Sequence, residues 1–196
     1  MNKSMQVIIK KCDIVIIPEN GPDEENIKRV GPIVRQTSFS REDLRKKFTF
    51  DKKTLVVSIG GTDAGLFLIE KMLKLKPKID LDLVIVSGPA LSKKFDESVR
   101  NLGFVDNLHE IIYAADVLVS LAGKSTIDEA KAYGTPAIFI PIKGHFEQED
   151  NARGEGFVFD DINRLEKLIL EKLDQRRTLV ETKGAIKASE IIKKLI

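Results

Sequence analysis

From Thr54 onward the chain repeats one unit: a short, uninterrupted apolar run, a turn rich in glycine, then a segment of helical period. The runs are Thr54 to Ile59, Leu81 to Val86, Val117 to Leu121 and Ala137 to Ile140. A strand with one wet face alternates apolar and polar residues, and these do not. Both of their faces must therefore be covered, which calls for a parallel sheet packed under helices. Helices are expected over Ala64 to Leu75, apolar at Leu66, Ile69 and Leu73, over Leu91 to Asn101, and over Leu108 to Ala114. Another opens at Ser125. Gly103-Phe104-Val105 and Phe157-Val158-Phe159 read as short strands. Asp160 or Asp161 should cap a helix through Leu173, and a last helix should run from about Arg177 to Ile196. The fold class is α/β, a doubly wound Rossmann-like parallel sheet, with residues 36–196 as its domain.

Upstream lies a different texture. Asp13 to Ile17 is a buried strand stopped by Pro18, with no evident neighbour to pair with. Glu19 to Arg35 holds Gly21-Pro22 and Gly31-Pro32 around a charged middle and reads as a loop or linker. Residues 1–35 thus look like the remnant of a preceding domain plus a linker. Ser40 should cap a short basic helix over Arg41 to Lys47.

Composition excludes several classes. With 32 Lys and Arg against 30 Asp and Glu, the net charge of +2 gives no electrostatic case for nucleic acid. No apolar run is long enough to span a bilayer. The single cysteine, Cys12, cannot form an intramolecular disulfide, fits a reducing cytoplasm, and is expected to be a small buried hydrophobe. A cytoplasmic location is the expectation. Two histidines and no cysteine cluster give no transition-metal site.

Chemistry gathers where strands end. Gly60-Gly61-Thr62 follows the first strand of the full domain and opens a helix. Glycines there let a phosphate approach backbone N–H groups at a helix N-terminus, though a tight turn capped by Thr62 or Asp63 fits equally. The loop is neither G-x-G-x-x-G nor a Walker A motif, so neither a nicotinamide cofactor nor ATP is indicated. Gly123-Lys124-Ser125-Thr126 is a second such opening; Thr126-x-x-Glu129 and Ser125-x-x-Asp128 also match the capping box. Glu129 lies in the first turns of that helix, where a carboxylate can accept from both hydroxyls of a ribose. His145, Glu147, Gln148 and Asn151 crowd one polar loop. Amide and carboxylate together suit sugar hydroxyls, which both donate and accept. His145 reads either as a general base or as an ordinary loop residue.

In order, Gly103-Phe104-Val105, Tyr113-Ala114-Ala115-Asp116, Ser120-x-x-Gly123, Thr126-x-x-Glu129, Gly134-x-Pro136, Pro141 and Glu147-Gln148-x-x-Asn151-Ala152 form a connected pattern. The pattern resembles the C-terminal, donor-binding domain of GT-B glycosyltransferases related to the MurG transferase of peptidoglycan synthesis. The resemblance covers about residues 54 to 175. It implies a nucleotide-sugar-binding domain for a UDP-sugar, commonly UDP-N-acetylglucosamine. By the same resemblance Phe104 and Val105 would pair with the uracil edge through their backbone, and Glu129 would hold the ribose. Gly60, Gly61 and Thr62, with Ser125 and Thr126, would cradle the diphosphate. Glu147 and Gln148, with His145, would meet the sugar, and Asn151 would steady their loop. Two departures stand out: Glu147 occupies a position where the family has glutamine, and Ala122 one where serine is frequent.

The family carries its acceptor site and catalytic base on an N-terminal domain, of which residues 1–35 match only the tail and hinge. The resemblance therefore implies a donor-binding half, inactive alone and with no cofactor, that needs an acceptor-binding partner subunit or domain. A eukaryotic member of this kind works with a separate membrane-bound partner, so membrane contact through a partner is implied too. Two other readings stand: a UDP-sugar hydrolase or epimerase, and a non-catalytic nucleotide-sugar-binding subunit. Ile186, Ile191, Ile192, Leu195 and Ile196 form a stripe on the last helix that could pack on its own sheet, in a homodimer or on a partner.

Overall fold

A computed structural model of the chain describes residues 7–89, 95 and 99–195. It divides into two compact units, Met1–Arg35 with Glu181–Ile196, and Gln36–Val180.

In the smaller unit, strand β1 (Val15–Ile17) is not alone. It pairs in parallel with β2 (Ile27–Arg29), in a segment expected to be a loop. Three residues reading Ile-Lys-Arg, set among charges, leave no period for a sequence reading to detect. Cys12 is exposed rather than buried; it sits in a turn ahead of β1, where its thiol donates to Ile8 O at 3.3 Å. The last helix of the chain, Gly184–Lys193, starts seven residues later than Arg177. Its buried face is Gly184 and Ala188, while Ile186, Ile192 and Leu195 of the expected stripe are exposed. Small residues pack here because a β-carbon on Gly184 would lie 2.3 Å from Pro32 O.

The larger unit is built as the strand pattern demands. Helix α1 (Arg41–Phe48) starts at Ser40, whose hydroxyl accepts from Asp43 N–H. Then come β3 (Thr54–Ser58), a 3₁₀ turn over Asp63–Gly65, and α2 (Leu66–Leu75). They are followed by β4 (Asp82–Val86), β5 (Arg100–Asn101), α3 (Leu108–Ala114), β6 (Val117–Leu121) and α4 (Lys124–Ala132). Strand β7 (Ala137–Ile140), α5 (Phe146–Gly154) and α6 (Leu165–Leu173) complete it. Every residue of β3, β6 and β7 is buried, so both faces of the sheet are covered as the unbroken apolar runs required.

All five strands are parallel, in the order β5-β4-β3-β6-β7. The chain winds outward from β3 through β4 to β5, then returns to lay β6 on the other side of β3. That reversal creates a switch point between β3 and β6, the place where a doubly wound sheet opens a crevice at the carboxyl ends of its strands.

Three further expectations are corrected. The strand near 103–105 is instead the two-residue β5 at Arg100–Asn101, and the helix expected over Leu91 to Asn101 otherwise falls largely outside the described residues. Phe157 and Val158 belong to no strand, and Phe159–Arg164 is a 3₁₀ helix. Asp161 closes that turn by accepting Val158 N–H at 2.9 Å. The polar loop His145 to Asn151 is a helix, α5. Only Ala152 of its nine residues is buried, so it has no apolar period to betray it.

Candidate functional site

Three strand exits converge at the switch point. After β3, Ile59 is buried at 1% exposure and anchors the turn, and Gly60 follows with φ +72°, in the left-handed region that glycine reaches without strain. The turn is pressed from behind by Gly88 at the exit of β4: a β-carbon on Gly88 would lie 2.2 Å from Gly60 O. Sequence reasoning passed over Gly88. Its signal was the Ser87-Gly88-Pro89 punctuation beside the neighbouring strand.

After β6, Gly123 is the N-cap of α4 and has no side chain with which to cap. The first helical bond closes from Ile127 N–H to Gly123 O at 3.1 Å, so the N–H groups before it lack carbonyl partners within the helix. Ser125 and Thr126 are therefore inside the first turn, and neither expected capping box forms. Lys124 is held by Asp128, Nζ to Oδ1 at 2.5 Å. The attraction for an anion thus comes from the helix end, worth roughly half a positive charge, more than from the lysine.

After β7, the turn into α5 is braced by its own side chains. Gln148 Oε1 accepts Ile142 N–H at 3.1 Å, and Glu149 Oε1 accepts Gly144 N–H at 2.8 Å. His145 is the N-cap of α5, with Nδ1 accepting Gln148 N–H at 3.4 Å. Asn151 Nδ2 donates to Ala122 O at 3.1 Å, tying α5 to the exit of β6.

Between these turns lies a cavity of about 440 Å³, within the size range of small-molecule sites. Its walls include Gly60, Gly61, Thr62, Ser120, Gly123, Thr126, His145 and Gln148. Six of the twelve residues expected from the sequence therefore meet, although they come from segments far apart in the chain. Ser125, Phe104, Val105, Glu129, Glu147 and Asn151 lie outside the wall. Ser125 and Glu147 are exposed outside the wall, and Asn151 acts as the clamp just described. Phe104 and Val105 follow β5, with Phe104 62% exposed. Glu129 is 5% exposed on the inner side of α4, roughly 8 Å along it at 1.5 Å per residue. Its carboxylate lies near enough to Tyr133 that, after burial itself, it is the next cause raising that phenol above its ordinary value. Ser120, buried at 2% beside Ser58 on β3, is the wall residue that a polar break in an apolar strand could have announced. Among the described residues no cluster of three His, Cys, Asp or Glu side chains is placed to hold a metal ion.

The chain matches the glycosyltransferase family 28 C-terminal domain over residues 54–194. It is 26% identical to an uncharacterized glycosyltransferase of Methanopyrus kandleri, over 98% of this chain and 63% of that protein. To the UDP-N-acetylglucosamine–N-acetylmuramyl-(pentapeptide) pyrophosphoryl-undecaprenol N-acetylglucosamine transferase of Carboxydothermus hydrogenoformans it is 32% identical, over 80% of this chain and 50% of that one. Among solved structures, MurG of Acinetobacter baumannii superposes with a TM-score of 0.58 at 15% identity, covering 99% of this chain and 64% of MurG. That likeness is one of fold, and it makes the sheet the C-terminal half of a GT-B architecture. The chain spans between about half and just under two thirds of the length of these relatives. Because the family match takes in well over half of its residues, the protein belongs to the glycosyltransferase family 28 C-terminal domain family.

Proposed function

We propose that this chain is the donor-binding half of a glycosyltransferase, taking UDP-N-acetylglucosamine and presenting its sugar to an acceptor held by another domain or a partner polypeptide. The observation that carries the reading is the cavity at the switch point, where two glycine-led turns and an uncapped helix end face one space. Backbone N–H groups and hydroxyls in that arrangement suit a diphosphate, whose charge they stabilise without a metal ion. The first relatives with an assigned activity carry UDP-N-acetylglucosamine in their names, which favours that donor.

In this reading Gly60, Gly61, Thr62 and Thr126 take the diphosphate, with Ser125 at its edge. Glu129, on the helix that opens at the cavity, takes the ribose, and the backbone of Phe104 and Val105 takes the uracil. Gln148 and Glu147 meet the sugar hydroxyls. The catalytic base and the acceptor site lie outside this chain.

A ligand that binds only the folded state raises the melting temperature by mass action. In a panel of UDP, UDP-N-acetylglucosamine, GDP, TDP and ATP, the uridine species should give the largest shifts. No shift with either UDP species would refute the donor assignment, and robust transfer by the isolated chain would refute the divided site. Glu129→Gln should weaken UDP about tenfold to a hundredfold, the range expected for a hydrogen bond to a charged group. Calorimetry showing unchanged affinity would remove Glu129 from the ribose.

A further inference from the structure

We infer that His145 donates from Nε2 to the terminal phosphate of the bound nucleoside diphosphate, which places it with the leaving group rather than with the sugar. The inference rests on the donor reading above. It begins from the helix cap. Nδ1 accepts Gln148 N–H at 3.4 Å, and a ring nitrogen that accepts carries no proton. The neutral imidazole must therefore hold its hydrogen on Nε2. The two nitrogens point to different sides of the ring, so with Nδ1 turned to the end of α5, Nε2–H is turned away from it.

The cavity is the ligand-sized space that His145 borders. His145, itself exposed, lines it together with Gly60, Gly61, Thr62, Gly123, Thr126 and Gln148, while Glu147 does not. Apart from Gln148, these neighbours belong to the two glycine-led turns and the helix end that suit phosphate oxygens, and the imidazole adds a donor to them.

The main chain that carries the ring is fixed. His145 N–H donates to Ile142 O at 3.0 Å, and His145 O accepts Glu149 N–H at 2.9 Å. The Phe146 ring lies beside it, with centroids 6.3 Å apart and planes 21° from parallel. A donor carried on a fixed main chain has less freedom to lose on binding.

The cap and the donor are carried by different atoms, so they can be removed separately. Asparagine in place of His145 offers an amide oxygen where Nδ1 stood, a good N-cap acceptor, and nothing at the position of Nε2. Glutamine does the reverse, with an amide nitrogen that reaches the Nε2 position and a poor cap. Calorimetric titration of UMP, UDP and UDP-N-acetylglucosamine into the wild type, His145→Asn and His145→Gln reads both. The expected result is that His145→Asn keeps its melting temperature and its UMP affinity but binds UDP and UDP-N-acetylglucosamine about tenfold more weakly. His145→Gln should regain part of the UDP affinity with a lower melting temperature.

Equal UDP affinity in His145→Asn and wild type would overturn the inference. So would a loss confined to UDP-N-acetylglucosamine, which would put the imidazole on the sugar, or an equal loss for UMP. A wild type that binds none of the three would overturn the donor reading itself, a distinct outcome.

Discussion

The two ends of the same five strands have opposite chemistry. At the amino ends most polar groups are paired, Arg41 Nε being an exception. Asp116, just before β6, accepts from Arg41 at 2.7 Å, from Arg45 at 2.8 Å and from Thr54 N–H at 2.8 Å. Burial pushes its carboxyl upward most strongly, but Thr54 N–H, Arg45 and Arg41 together outweigh burial and leave it below its ordinary value. Arg177 donates to Ala115 O, Tyr113 O, Tyr133 O and Thr135 Oγ1, with its guanidinium over the Tyr113 ring. Burial first, and then the like charge of Arg41, lower Arg177 to about 10. The backbone closes in as well: a β-carbon on Gly134 would lie 2.4 Å from Thr178 O.

At the carboxyl ends the turns are open. Gly60, Gly61 and Gly123 have no heavy atom within 4 Å of where a β-carbon would stand, and α4 begins without a side-chain cap. Strand direction explains the contrast. Parallel strands followed by helices send every helix N-terminus to the carboxyl edge, where N–H groups await an anion. At the amino edge the polar groups are bonded mainly to one another. Internal pairing is concentrated at one end and open turns at the other.

Substitutions should separate the two ends. The largest effect is expected from Asp116→Ala, which removes the shared partner of two half-buried arginines and of Thr54 N–H and should cost about 3 kcal/mol in denaturant unfolding. UDP affinity of the folded fraction should stay near that of the wild type. Because folding lowers the Asp116 pKa, its stabilisation is full above the ordinary carboxylate value and is lost as pH falls through the lowered one. Acid unfolding followed by circular dichroism should therefore be shallower in Asp116→Asn. Next comes Gly88→Ala, which forces the Gly60 turn to move; about 1–3 kcal/mol of overpacking should accompany a marked loss of UDP binding. A variant that loses stability but binds UDP normally would show that this turn does not hold the ligand. The smallest effect belongs to Lys124→Ala. Its charge is already taken by Asp128, so a stability loss of no more than about 1 kcal/mol is expected. UDP affinity should fall less than about threefold, and a larger fall would give the lysine the role assigned here to the helix end.

The strands and their direction were legible because both faces of the central strands are buried, and apolar runs such as Ala137 to Ile140 say so. The turns at Gly60 and Gly123 were legible because glycine at a strand exit has few other uses. Helix α5 was not, since what stabilises it is the His145 cap and the bonds of Gln148 and Glu149 back to the turn, not a buried face. Nor was Asn151's clamp on Ala122, a contact across 29 residues that no local pattern encodes. The extended run from Arg177 toward Gly184 reads as helix until the guanidinium of Arg177 is seen gripping carbonyls at the amino edge. Tertiary bonds overrule local preference there.

The amino edge also holds a cavity, about 330 Å³ and lined by Lys131, Glu155, Lys172 and Arg176, so the assignment of the ligand to the carboxyl edge can be contested directly. Amide hydrogen exchange on the whole chain, with and without saturating UDP, decides between them. The account predicts slowed exchange at Gly60–Thr62, Gly123–Thr126 and the start of α5, with no change around Lys131 and Glu155. Protection at Lys131, Glu155 and Lys172, with the three strand exits unaffected, would contradict it.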